Sequence, residues 1–142
     1  MSRIYVVAVL SVLTITASAA AAVDGKKTAV HLDHWMAPGD AAKRPNPVKP
    51  NGASIARGKE LFEANCVVCH GPSGRGDGPA GTALQPRPAD LVRMAPSHSD
   101  GDFAWKISEG RSPMPAFKAN LSESQIWDLV NYVKRGLPSK KK

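Results

Sequence analysis

Cys66-Val67-Val68-Cys69-His70 is the run in this chain whose residue types and spacing carry the most chemistry. Two thiols separated by two residues, with an imidazole directly after, is the spacing that attaches a c-type haem covalently. The thiols add to the two vinyl groups of the porphyrin as thioethers, and two intervening residues let both sulfurs reach one macrocycle from a single helical turn. His70 then falls under the iron as the proximal ligand. Its second ring nitrogen needs an acceptor to fix the tautomer; a backbone carbonyl in the following glycine-proline loop, that of Pro79, is the expected partner. A zinc site would need a second Cys/His pair at matching spacing. The chain has only two cysteines, and His31, His34 and His98 are scattered. A redox dithiol would sit in a βαβ context, and no hydrophobic strand precedes Cys66.

The elements that must position this run are helices. Ser54 is the expected N-cap of the first. Ile55, Gly58, Leu61, Phe62 and Asn65 follow at helical spacing and lead straight into Cys66. Gly58 inside a helix costs about 1 kcal/mol against Ala, so close approach of another helix is its expected reason. Gly71 to Pro88 is irregular. It lacks the preceding strand and Gly-Lys-Ser/Thr ending of a phosphate loop, and it is expected to pack backbone against the porphyrin. A second helix is expected over Asp102–Glu109, capped by Ser99 or Asp100, with Gly110 at its C′ position. Arg111 to Phe117 forms a loop with Met114 between Pro113 and Pro115. The last helix is the best specified. Ser122 and Gln125 make a capping box, and Leu121 with Ile126 a hydrophobic staple. Ile126, Leu129, Val130 and Val133 form its buried stripe, and Gly136 and Pro138 end it.

The N-terminal residues read as an export signal. Arg3 is the only charge before Asp24, Ile4 to Ile15 is apolar, and Ala20-x-Ala22 fits small-x-small cleavage after Ala22. Ala17-x-Ala19 is a second cleavage candidate. An uncleaved membrane anchor is the alternative, since Ile4 to Val23 is just long enough to span a bilayer. The organisation is therefore 1–22 signal peptide, 23–53 extended Pro-rich extension, 54–138 folded domain and 139–142 basic tail. Within the extension Lys43-Arg44-Pro45-Asn46-Pro47 reads as a linker. Trp35 and Met36 are expected to pack on the domain, with His31 and His34 solvated. Twelve prolines and twelve glycines in 142 residues imply long loops between few helices, and aromatics at 6% leave a modest protein core that a buried haem would enlarge.

These motifs together resemble the class I c-type cytochromes of the bacterial monohaem kind, over about Ile55 to Leu137. The first helix running at once into C-x-x-C-H matches. So does Gly58 with Phe62 one turn on, which in that family pack against an aromatic of the C-terminal helix; Tyr132 stands at the matching place, supported by Leu129. Gly110…Met114-Pro115-x-Phe117…Leu121 resembles the family's distal-ligand segment. The resemblance implies an all-α cytochrome c fold: three to four helices around one covalently bound haem c, with Cys66, Cys69, His70 and Met114 as cofactor-binding residues and His70 and Met114 on the iron. Met36, Met94, His31, His34 and His98 are the other candidates for the distal place. Met114 is preferred because two prolines fix its loop and predicted helices anchor both ends, whereas Arg93 to His98 reads as more mobile.

The function implied is one-electron transfer without turnover of a substrate, in the periplasm. The alternatives are a haem subunit of a larger exported oxidoreductase, and a haem enzyme or gas-binding protein with an open sixth site. The formal net charge is +7, and loss of the signal removes only Arg3. Such a surface favours redox partner proteins with acidic docking faces. Export and the absence of a basic-aromatic platform exclude nucleic acid, and membrane contact is expected only if the N-terminal segment is retained.

Overall fold

The computed structural model describes residues 35–138. Six α-helices and one 3₁₀ turn are connected by long loops: α1 Gly39–Ala42, α2 Gly52–Asn65, α3 Val67–His70, the 3₁₀ turn Gly81–Ala83, α4 Leu91–Met94, α5 Asp100–Glu109 and α6 Glu123–Arg135. No strand occurs among the described residues; Arg111 and Met114 form one isolated β-bridge. The expected all-α architecture is thus present. The signal segment, His31, His34 and the basic tail from Ser139 lie outside the described residues.

The frame is the packing of α2 on α6. The capping box at the start of α6 forms as expected: Gln125 N–H donates to Ser122 Oγ at 3.3 Å, and Ser122 N–H donates to Gln125 Oε1 at 2.8 Å. Ile126, Leu129, Val130 and Val133 are buried, and Trp127 and Tyr132 join them. Gly58 meets α6 backbone. A Cβ there would overlap the Asp128 carbonyl and stand 2.8 Å from Tyr132 Cβ. The rings of Phe62 and Tyr132 then pack at a centroid distance of 5.4 Å. Gly58→Ala should therefore force the helices apart and cost about 1–3 kcal/mol. Thermal unfolding checks this, and a melting temperature equal to wild type would contradict the contact.

Two expectations at helix starts are corrected. Asn51, not Ser54, caps α2, accepting from Ser54 N–H at 2.9 Å. Ser54 is instead a buried core residue. Its hydroxyl donates to Asp128 Oδ1 at 2.5 Å and accepts from Asn131 Nδ2 at 2.8 Å. Arg57 clamps the same carboxylate at 2.7 and 2.9 Å. These partners satisfy the two polar residues, Asp128 and Asn131, that α6 carries into its buried face. At α5, Ser99 caps a helix that begins two residues before the expected start.

Residues 35–51 are not a free linker. Asn46 Nδ2 donates to Asn131 Oδ1 at 2.9 Å, Arg44 pairs with Glu123 and stands over Trp127, and Ala37 N–H donates to the buried Asp102 at 2.7 Å. Pro-rich backbone has few donors of its own, so side chains of α5 and α6 tie the segment down. Met36 remains 46% exposed, against the expected packing.

Candidate functional site

The site is built outward from α3. A four-residue helix leaves its carbonyls without helical partners, and the glycine-rich loop after it supplies them. Gly71 N–H donates to Val67 O at 2.9 Å, Ala80 to Val68 at 2.9 Å, Gly78 to Cys69 at 3.1 Å and Gly76 to His70 at 2.9 Å. Gly71 and Gly76 have φ of +74° and +78°, which favours glycine. A Cβ on Gly78 would lie 2.6 Å from three atoms of the α3 backbone. The glycines therefore serve the backbone of the C-x-x-C-H turn. None of them lines the cavity beneath it; the Gly71 to Pro88 loop reaches that cavity through Leu84, Pro86, Arg87 and Pro88.

That cavity measures about 270 Å³ and is predominantly apolar. Cys66 lines it from the α2–α3 junction, Cys69 and His70 from α3, Phe62 and Leu129 from the α2–α6 frame, and Met114 from the loop after α5. All four sequence-predicted site residues therefore face one space. Neither cysteine is in a disulfide. Burial, with a smaller contribution from Cys69, pushes the Cys66 thiol up to about 12. A redox dithiol needs the opposite, a thiolate stabilised at neutral pH.

His70 Nδ1–H donates to the Ala89 carbonyl at 3.2 Å. The expected acceptor, Pro79, takes the Thr82 hydroxyl instead. Burial lowers the His70 pKa, which favours the neutral ring, and the Ala89 carbonyl partly opposes it. With Nδ1 committed, Nε2 keeps the lone pair for a metal.

Met114 is half-buried, and its backbone is pinned by reciprocal bonds. Arg111 N–H donates to Met114 O at 3.0 Å, and Met114 N–H donates to Arg111 O at 2.8 Å. Phe117 N–H then returns the loop to Ile107 O at 3.1 Å. Gly110, with φ +61°, turns the chain here, and a Cβ on it would collide with the Pro115–Ala116 backbone. The loop is thus held at both ends, by bonds as well as by prolines.

The other distal candidates are placed as follows. Met94 lines the same cavity, on α4. Its surroundings are more ordered than expected, because Asp90 caps that helix and His98 is buried. His98 does not line the cavity; its Nδ1 lies 2.6 Å from Asp102 Oδ2. Met36 does not line it either. Sequence reasoning missed Trp35, Lys106 and Arg111 as cavity residues. Only Trp35 had a signal, as a lone aromatic in a polar segment. No three His, Cys, Asp or Glu side chains among the described residues gather to hold a metal ion.

The cytochrome c family model matches residues 55–136, more than half of the chain. The chain belongs to the cytochrome c family. Its cofactor is covalently bound haem c, and two thiols, an imidazole and a thioether around an apolar cavity fit that group. Among relatives of this cytochrome, cytochrome c6 of Bumilleriopsis filiformis is 31% identical over 81 residues, which cover 57% of this chain and 90% of that one. Cytochrome c6 of Limnospira maxima is 33% identical over 82 residues, covering 56% and 89%. Among solved structures, the Kuenenia stuttgartiensis reducing HAO-like protein complex Kustc0457/Kustc0458 holds a chain similar to this cytochrome, with a TM-score of 0.56 and 28% identity. The similarity covers 66% of this cytochrome and 47% of that chain, so it spans under half of it.

Proposed function

We propose that this cytochrome is an exported one-electron carrier whose haem is joined to Cys66 and Cys69, with His70 and Met114 as the axial ligands. The convergence of these four side chains on one apolar cavity carries the reading. Bound haem c supplies the one-electron chemistry. The chain does the rest. Ala89 holds the His70 imidazole in one tautomer and orientation. The Arg111–Met114 backbone pair holds the thioether's loop. Phe62, Leu129 and Val133 keep water from the cavity. A thioether ligand favours the reduced iron relative to a second imidazole. Val68 lines the cavity and is 55% exposed, which supports approach of a redox partner from that side.

The net charge of +7 favours steered encounter with an acidic redox partner. Export rests on residues 1–22; no helix among the described residues is long and apolar enough to cross a membrane. A haem subunit of a larger exported oxidoreductase is the second reading, favoured by the similarity to a chain of the Kuenenia complex. Size-exclusion of the native protein separates the two.

With both axial places filled, the ferrous protein should bind carbon monoxide only slowly at neutral pH. Stopped-flow mixing measures this. Rapid binding would put the open-site enzyme or gas-binding reading ahead.

A further inference from the structure

His98, Asp102 and Lys106 follow one another at four-residue spacing into and along α5, and all three are buried, at 8%, 0% and 4% exposure. Asp102 Oδ2 lies 2.6 Å from His98 Nδ1 and 2.6 Å from Lys106 Nζ. Lys106 Nζ lies 3.1 Å from the same His98 nitrogen. That nitrogen can donate to the carboxylate or accept from the ammonium, so both roles of the ring find a partner without rearrangement. A buried carboxylate and ammonium already satisfy each other. The imidazole adds the side-chain type whose charge ordinarily changes between about pH 5 and 8.

The surroundings hold the ring in place and set the charge it meets. From α6, the Lys134 ammonium donates to the His98 carbonyl at 2.5 Å and pairs with Asp100 at 3.1 Å. Arg135 shares Asp100 at 3.2 Å. From α4, the Met94 carbonyl accepts the His98 N–H at 3.1 Å, and from the segment before α1, Ala37 N–H donates to Asp102 at 2.7 Å. Asp100 and Asp102 thus already face Lys106, Lys134 and Arg135. A proton on the ring adds positive charge that this cluster does not balance.

His98 stands one layer of side chains from the cavity. Its ring meets Phe103 edge-on, with centroids 6.0 Å apart, and Phe103 and Lys106 both line the cavity. An electron arriving there removes one positive charge from the iron, and through a low-dielectric layer that favours a cation nearby. We infer that His98 is a proton site coupled to electron transfer. The ring draws a proton from solvent as the iron accepts an electron from the redox partner, and releases it on oxidation. No bond to the iron forms or breaks. The inference rests on the haem reading above. The carboxylates of the cofactor itself are the rival titrating groups.

The test uses exported holoprotein and reads the ferrous-to-ferric ratio at a fixed solution potential. An imidazolium favours the ferrous form, so the wild-type ratio should rise about threefold or more as pH falls from about 8 to about 5. His98→Asn keeps a donor for Asp102 without a titrating ring, and its ratio should stay flat over the same range. A second measurement needs no variant: proton NMR of the His98 ring in wild type should give a higher titration midpoint in the ferrous protein than in the ferric. The inference is overturned if the wild-type ratio is the same at both ends of the range. It is also overturned if His98→Asn keeps the whole rise, which would assign it to the cofactor carboxylates. Equal ring midpoints in the two oxidation states overturn it too, and decide the matter if His98→Asn does not fold. Failure of the haem reading is distinct: wild type itself would then carry no covalent haem.

Discussion

Met114→Ala is expected to abolish the weak far-red sulfur-to-iron band of the ferric protein. The same change should open the iron to exogenous ligands and lower the reduction potential by about 0.1 V or more, a fraction of the roughly 0.8 V over which axial ligands set haem potentials. Met114 lines the cavity together with His70, on a loop pinned by the Arg111 and Phe117 backbone bonds. Its carbonyl and N–H are both used within that turn, so truncating the side chain leaves the backbone in place. The loss should therefore be spectroscopic rather than structural. Met94 is the control, because it lines the same cavity and packs against the same core. Met94→Ala should cost packing, about 2–5 kcal/mol for a fully buried site and less at this half-buried one, and leave the band intact. A band lost from Met94→Ala and kept in Met114→Ala would reverse the assignment.

Replacing both Cys66 and Cys69 with Ala should remove covalent haem altogether and leave a domain without fixed tertiary packing. An unfilled apolar cavity of about 270 Å³ corresponds to at most about 6.5 kcal/mol of lost stabilisation. A domain of this size has only about 5–15 kcal/mol in total. Its buried aromatic residues are few, and two of them, Phe62 and Phe103, border the cavity together with Leu129. Near-UV circular dichroism of the double variant should be weak while helical far-UV signal persists. Haem staining after denaturation should be negative. Each single variant should retain haem on one thioether at severalfold lower yield. Native near-UV signal in the haem-free double variant would contradict this view of the core.

What was legible in the sequence was what local pattern encodes. C-x-x-C-H lies within five residues, and its two thiols and imidazole line one cavity; the Ser122–Gln125 capping box lies within four and stands as read. Gly58 was legible because a glycine amid helix formers demands a reason, and α6 supplies it. What stayed hidden depends on residues distant in sequence. Ala89 as the His70 acceptor is set by where a loop returns, not by any residue type, since every residue offers a carbonyl. The glycines of 71–81 announced close approaches but not their objects, which for Gly78 and Gly81 are the α3 backbone and for Gly76 the Pro88 carbonyl. Prolines made residues 35–51 resemble a linker. Their anchors, Asp102, Glu123 and Asn131, lie 65 to 85 residues away and carry no local mark. Serine favours caps, but Ser54 serves as a buried donor to Asp128 instead.

The account's central claim is that one covalent haem sits between His70 and Met114 in this chain. Paired absorption spectra of the exported protein, ferric and dithionite-reduced, test it most directly when acid-acetone extraction follows on the same sample. The account predicts a narrow α-band on reduction, a weak far-red band in the ferric form, and haem that stays with the polypeptide through extraction. Haem that extracts freely would contradict attachment through Cys66 and Cys69, and a native ferric spectrum lacking the far-red band would contradict ligation by His70 and Met114.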